Sequence, residues 1–115
     1  MAKILVMLIT GKENINTEMV AFSFAYNAVK NAKADVEFLF LGRGVQAANK
    51  NQKSSPQFLE QIDILRSEKI PLKICKVSMK GEGLTEYDIF PDIESVLGGV
   101  EVNDRIQDGY SVITF

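Results

Sequence analysis

Six apolar residues in a row, Ile4-Leu5-Val6-Met7-Leu8-Ile9, constrain the fold of this chain more than any other feature. A half-exposed strand alternates apolar with polar residues, whereas an unbroken short run suits a strand covered on both faces, as in the middle of a parallel sheet. Val36 to Leu41, "VEFLFL", reads as a second strand. Parallel strands need crossover connections, usually helices, and the intervening segments have the right pattern.

Asn14 or Asn16 can cap a first helix, with Glu18 in its opening turn opposing the positive end of the dipole. The spacing of Ile15, Met19, Phe22, Tyr26 and Val29 predicts a helix from about Asn16 to Lys33. Val20, Phe24, Ala25, Ala28 and Ala32 widen its apolar arc beyond the stripe that one sheet face covers. Either another subunit covers the excess or the helix leaves some alanines exposed.

After Gly42-Arg43-Gly44 the stretch from Val45 to Ser55 is polar, with room for one short helical turn. Connections of this length tend to be lids, binding loops or disordered segments. Ser55-Pro56 reads as an N-cap and first-turn proline, and Phe58, Ile62 and Leu65 predict a helix to about Glu68. A third strand runs from Pro71 to Cys75 or Lys76. A short helix over Val77 to Glu82 ends at Gly83, and Thr85 to Asp88 has the spacing of a capping box. Pro91 breaks the chain. Ile93 to Leu97 is a fourth strand, Gly98-Gly99 opens a helix ended by Gly109, and "YSVITF" is a fifth strand.

The alternation β-α-β-α-β-α-β-α-β predicts one domain over residues 1–115: a three-layer α/β/α sandwich around a five-stranded, mostly parallel sheet. At 115 residues the chain can bury a core without disulfides or metal. In such sheets sites form beyond the carboxyl ends of the strands. That directs attention to Thr10, Gly11 and Lys12, to Gly42, Arg43 and Gly44, and to Cys75, Lys76 and Lys80.

Composition narrows the chemistry. There is no histidine, which removes Ser-His-Asp and Cys-His catalysis and ordinary zinc sites. No metal-loop pattern surrounds Asp88, Asp92 and Glu94, and no cofactor is implied. A net charge of −2 gives no general pull toward nucleic acid or anionic membrane. The N-terminal apolar run is too short to span a bilayer and ends in Thr10-Gly11-Lys12 rather than in a cleavage site. The single cysteine cannot close an internal disulfide, which fits a reducing cytoplasm.

Cys75 has two readings. It ends a strand and precedes a short helix, with Lys76 and Lys80 close in sequence; helix-start amides and cations lower a thiol pKa and favour a nucleophilic thiolate. It is equally a small hydrophobe packed in a core. Without a second cysteine, persulfide carriage or an inter-protein mixed disulfide suits it better than disulfide shuttling. "GKEN" after the first strand offers amides to an anion, or is simply a tight turn; Lys12, Arg43, Lys76 and Lys80 would attract an anion if they converged. "GEG" and "GG" at 98–99 read as turn residues, and "GRGV" lacks the glycine and lysine-serine fingerprints of nucleotide sites.

"KILVMLITGKEN", the Ala-rich "MVAFSFAYNAVK", "ADVEFLFLGRGV", "PLKICKVSMKGEGL" and "GGVEVNDRIQDGYSVITF", in that order, resemble the DsrE/DsrF-like family of small sulfur-relay proteins. The resemblance implies homo-oligomers, often trimers or hexamers, and a cysteine after the third strand that carries persulfide sulfur. Cys75 stands at that position, with Gly83 and Leu84 matching the glycine and apolar residue that follow. It differs in "KVSMKGE", where the relay proteins tend to have alanines and arginines. The expected function is sulfurtransferase-like: Cys75 as sulfur carrier, Lys76 or Lys80 and amides supporting the thiolate, Thr10, Gly11 and the 42–44 loop shaping a pocket, and a small sulfur-carrier protein as partner. The alternative is a non-enzymatic oligomeric module that binds a small anion or a protein.

Overall fold

The computed structural model describes residues 1–115. Strand β1 is Lys3–Leu8, β2 Asp35–Phe40, β3 Leu72–Cys75, β4 Glu94–Val96 and β5 Ser111–Thr114. They form one sheet in the order β4-β3-β2-β1-β5, and every pairing is parallel. The helices are α1 Ile15–Ala32, α2 Ser55–Ser67, α3 Lys76–Gly81 and α4 Gly98–Gln107, so strands and helices alternate as the sequence predicts.

Steps β1 to β2 to β3 to β4 march toward one edge, and right-handed crossovers place their helices on one face. The return from β4 to β5 crosses the sheet the other way and lays α4 on the opposite face. The two faces differ in character. Val6, Leu8, Val36, Phe38, Phe40, Leu72 and Ile74 join Phe22 of α1 and Phe58, Ile62 and Leu65 of α2 in the main core. Its centre is aromatic: the Phe22 and Phe38 rings stack at 4.9 Å. Toward α4 point Leu5, Glu37, Leu39, Lys73 and Cys75, a thinner and partly charged layer.

Asn14 caps α1, its Oδ1 accepting the Thr17 amide at 3.1 Å. Ser54, rather than Ser55, occupies the position before α2, which moves Pro56 one place into the helix. Thr85 and Asp88 make the expected capping box, the Thr85 amide donating to Asp88 Oδ2 at 2.9 Å.

The segment after β2 departs from expectation. Residues Gly42–Ala48 form a 3₁₀ helix, and Val45, Ala47 and Ala48 are fully buried in the main core. An antiparallel bridge between Asn49 and Ile89 pins the segment, with Lys50 donating to the Asp88 carbonyl and Phe90 to that of Ala48. Three apolar side chains and these backbone bonds make it a wall of the domain rather than a lid. No helix is long and apolar enough to cross a membrane.

Candidate functional site

Cys75 is the last residue of β3 and the cap of α3. It is 5 % exposed. Its sulfur accepts the Ser78 amide at 3.5 Å, the bond expected of a capping side chain. Burial raises the thiol pKa, but hydrogen bonds from the Ser78 hydroxyl and from the amides of Ser78, Gly98 and Val77 outweigh it and leave the pKa below the ordinary thiol value. Of these the Ser78 amide makes the direct hydrogen bond to the sulfur. Lys76 and Lys80, the expected supports, are exposed on α3.

Ser78 was not singled out from sequence. Its Oγ accepts the Gly42 amide at 2.8 Å, which leaves the hydroxyl proton free to face Cys75. Gly42 can present its amide this way because it adopts φ +57°, in the left-handed region. Sequence offered one signal: a serine three residues after a strand-ending cysteine lies within capping reach.

Gly98, the first residue of α4, closes the sulfur from the other side. A Cβ there would stand 3.0 Å from Cys75 Sγ and 2.5 Å from Leu41 Cδ1. What reads in sequence as a turn glycine is a glycine of close approach.

The other expected site residues divide. Gly11, Lys12 and Arg43 come together around a cavity of about 330 Å³, with Glu13, Gln46 and Glu82 completing the wall. Arg43 lies 3.8 Å from Glu13, and the Gly11 amide donates to both Glu13 carboxyl oxygens. Two cations therefore face two carboxylates, so the cavity carries little net charge. Glu82 follows the far end of α3, roughly 10 Å along the helix from Cys75 at about 1.5 Å per residue. Gly42 alone of the loop residues touches the sulfur's immediate partner. Gly44 serves packing: a Cβ there would fall 2.0 Å from the Leu8 carbonyl oxygen. The Thr10 amide donates to Phe115 and ties β1 to the chain end. No group of three or more His, Cys, Asp or Glu side chains is placed to hold a metal.

Two carboxyls are buried: Glu18, which the sequence marks only as a first-turn acid, and Glu37, which it does not single out. Glu18 in α1 is 1 % exposed, and its Oε1 has no hydrogen-bond partner. Burial, helped by Glu13 and opposed by Lys12, pushes its pKa to about 7. Glu37, in the middle of β2, is 3 % exposed. Burial, then the Glu101 carboxyl beside it, raise its pKa to about 8 against Lys73 and Arg105. A lone acid inside an apolar strand was the visible signal for Glu37.

A three-layer domain with one cysteine, cupped by amides at the carboxyl end of the third parallel strand, defines the class. The sequence model of the DsrE/DsrF-like family matches residues 3–115. The chain belongs to that family, which is generally associated with sulfur relay. Among solved structures it is similar to the ychN protein of E. coli, at 19 % identity over all of both chains with a TM-score of 0.82. It is similar also to MTH1491 of Methanobacterium thermoautotrophicum, a protein of unknown function, at 13 % identity over all of both chains and a TM-score of 0.81. BT1422 of Bacteroides thetaiotaomicron, likewise of unknown function, shares 13 % identity, with 98 % of this chain and 94 % of that one covered and a TM-score of 0.77. At these identities the likeness is one of fold. No curated protein sequence matches the chain.

Proposed function

We propose that the protein carries sulfane sulfur as a persulfide on Cys75. The observation that carries this reading is the seat of the sulfur at the end of β3, where it accepts the Ser78 amide at 3.5 Å and Gly98 stands close against it, surroundings that hold the thiol pKa down despite burial. The Cys75 thiolate attacks the outer sulfur of a donor persulfide, R–S–SH; the new S–S bond forms as the old one breaks, and RS⁻ leaves. In the reverse sense an acceptor thiolate takes the outer sulfur and restores the Cys75 thiolate. No external oxidant or reductant is needed. A small sulfur-carrier protein in the cytoplasm suits the acceptor role.

The protein works as a homo-oligomer in this reading, a trimer or hexamer. Support comes from α1, where Val20 (54 % exposed), Phe24, Ala28 and Ala32 join Ile4 around an apolar groove of about 540 Å³ beside edge strand β5.

Mass spectrometry after incubation with polysulfide tests the reading. The wild type gains a mass of about one sulfur atom, lost on reduction, and Cys75→Ser does not. The same gain in the serine variant would refute it. The low exposure of Cys75 favours a second reading, a non-enzymatic oligomeric module binding a small anion or a protein. Unchanged partner binding by Cys75→Ser, with no mass gain in the wild type, selects that one.

A further inference from the structure

Helix α4 covers the sulfur, yet little apolar contact holds it. Of its residues only Gly98 is buried, and Val100 and Ile106 are each 55 % exposed. Its attachment to the sheet is polar. Arg105 Nη1 lies 3.6 Å from Glu37 Oε1 and 4.0 Å from Glu101 Oε2, while Nη2 lies 2.9 Å from Asp108. Glu37 Oε2, Glu101 Oε2 and Arg105 Nε are buried without hydrogen-bond partners, while the Arg105 side chain as a whole keeps 26 % exposure, so the cluster is half-buried and incompletely satisfied. Buried charge of this kind persists only where an opposite charge is held against it.

Both ends of this arrangement lie on one rigid helix. Gly98 stands directly against Cys75, where a Cβ would lie 3.0 Å from Sγ, and Arg105, seven residues on, is about 10 Å further along. We propose that Glu37 is a positioning residue for Cys75: by meeting Arg105 and Glu101 it seats α4, and the seated helix sets both the close approach of Gly98 and access to the sulfur. The biological meaning rests on Cys75 being the sulfur carrier; the coupling itself does not.

The coupling makes access depend on pH. From α4, Glu101 and Arg105 face Glu37; from β3, Lys73 does, itself paired with Glu94 at 2.9 Å. Behind Arg105 stand Asp108 and the Tyr110 ring. A proton on Glu37 lets the two carboxyls lie together. Its loss sets a second negative charge against Glu101, which Arg105 and Lys73 answer only in part. Because the seated state binds that proton more tightly than an open one, seating weakens as pH rises from the ordinary carboxyl range to about 8.

Alkylation of Cys75 by iodoacetamide, divided by the thiolate fraction from absorbance at about 240 nm, reads access directly. In the wild type the normalised rate should rise about tenfold between roughly pH 6 and pH 9, the change that one unit of pKa difference transmits. In Glu37→Gln it should stay flat, since the amide fills the same place beside Glu101 but cannot ionise. Glu101→Gln removes the repulsion but leaves the burial, so it should reduce the rise without abolishing it, which covers a Glu37 variant that fails to fold. A flat wild-type profile, or an equal rise in the variants, overturns the proposal. A wild type that takes up no sulfur yet shows the rise refutes the persulfide reading and leaves this one standing.

Discussion

The Gly42 amide donates to Ser78 Oγ at 2.8 Å, joining the loop after β2 to the first turn of α3 across 36 residues of sequence. The bond orients a hydroxyl whose proton then serves the Cys75 sulfur. Ser78→Ala removes that proton and strands the Gly42 amide. A hydrogen bond to a charged group contributes about 1.5–3 kcal/mol, so the thiol pKa should rise by about one unit or more. Ser78→Thr, which keeps the hydroxyl, should stay close to the wild type. Thiolate absorbance titrated against pH measures both, and an unmoved alanine variant would show that the amides suffice.

Gly98 and Gly99 are neighbours with opposite expectations. Nothing lies within 4 Å of a Cβ on Gly99, and alanine there should stabilise α4 by about 0.5–1 kcal/mol through propensity alone. On Gly98 the methyl meets Leu41 Cδ1 at 2.5 Å and Cys75 Sγ at 3.0 Å. The leucine tip can swing aside, but the sulfur is fixed by its hydrogen bonds. Gly98→Ala should cost about 1–3 kcal/mol as overpacking does, and change the alkylation rate of Cys75. Denaturant melts of the two variants settle the contrast.

Glu18 makes stability depend on pH in the sense opposite to an ordinary surface acid. Its folded pKa, about 7, lies above the unfolded value near 4.5, so the folded state binds the proton more tightly. The slope of stability with pH is then negative: the full contribution is present in mild acid and is lost as pH rises from about 4.5 to about 7. Glu18→Met removes a carboxyl with an unpartnered oxygen and fills similar volume. The variant should melt above the wild type near pH 8, by about 1–3 kcal/mol, and the gap should narrow toward pH 5. Equal melts at both pH values would show that Glu18 finds a partner in solution.

These predictions turn on residues of unequal legibility in the sequence. The strand-helix alternation was readable because its signals are local: the runs at 4–9 and 36–41 and the Phe58, Ile62, Leu65 spacing each lie within one element. The cysteine's position followed from that alternation. Its surroundings did not, because Ser78 depends on a left-handed Gly42 and the Gly98 contact depends on a helix arriving from the other face. Val45, Ala47 and Ala48 sit in a polar stretch, and only a long-range bridge to Ile89 turns them inward. Glu37 was absorbed into an apolar run; its meaning comes from Arg105, which no local period connects to it.

The apolar groove of α1 gives the last prediction. Val20, 54 % exposed, and Phe24, whose ring lies 5.3 Å from that of Phe115, border edge strand β5 with its unpaired side open. An edge beside an apolar helix face is a surface that a second copy can cover, and a monomer would leave both exposed. Light scattering coupled to size exclusion should find the wild type as a trimer or hexamer. Val20→Glu sets a charge into that surface without touching the buried core, so the fold should remain by circular dichroism while the assembly falls to smaller species. A monomeric wild type would remove the oligomer from the proposed function, and an assembled Val20→Glu would place the contact elsewhere on the molecule.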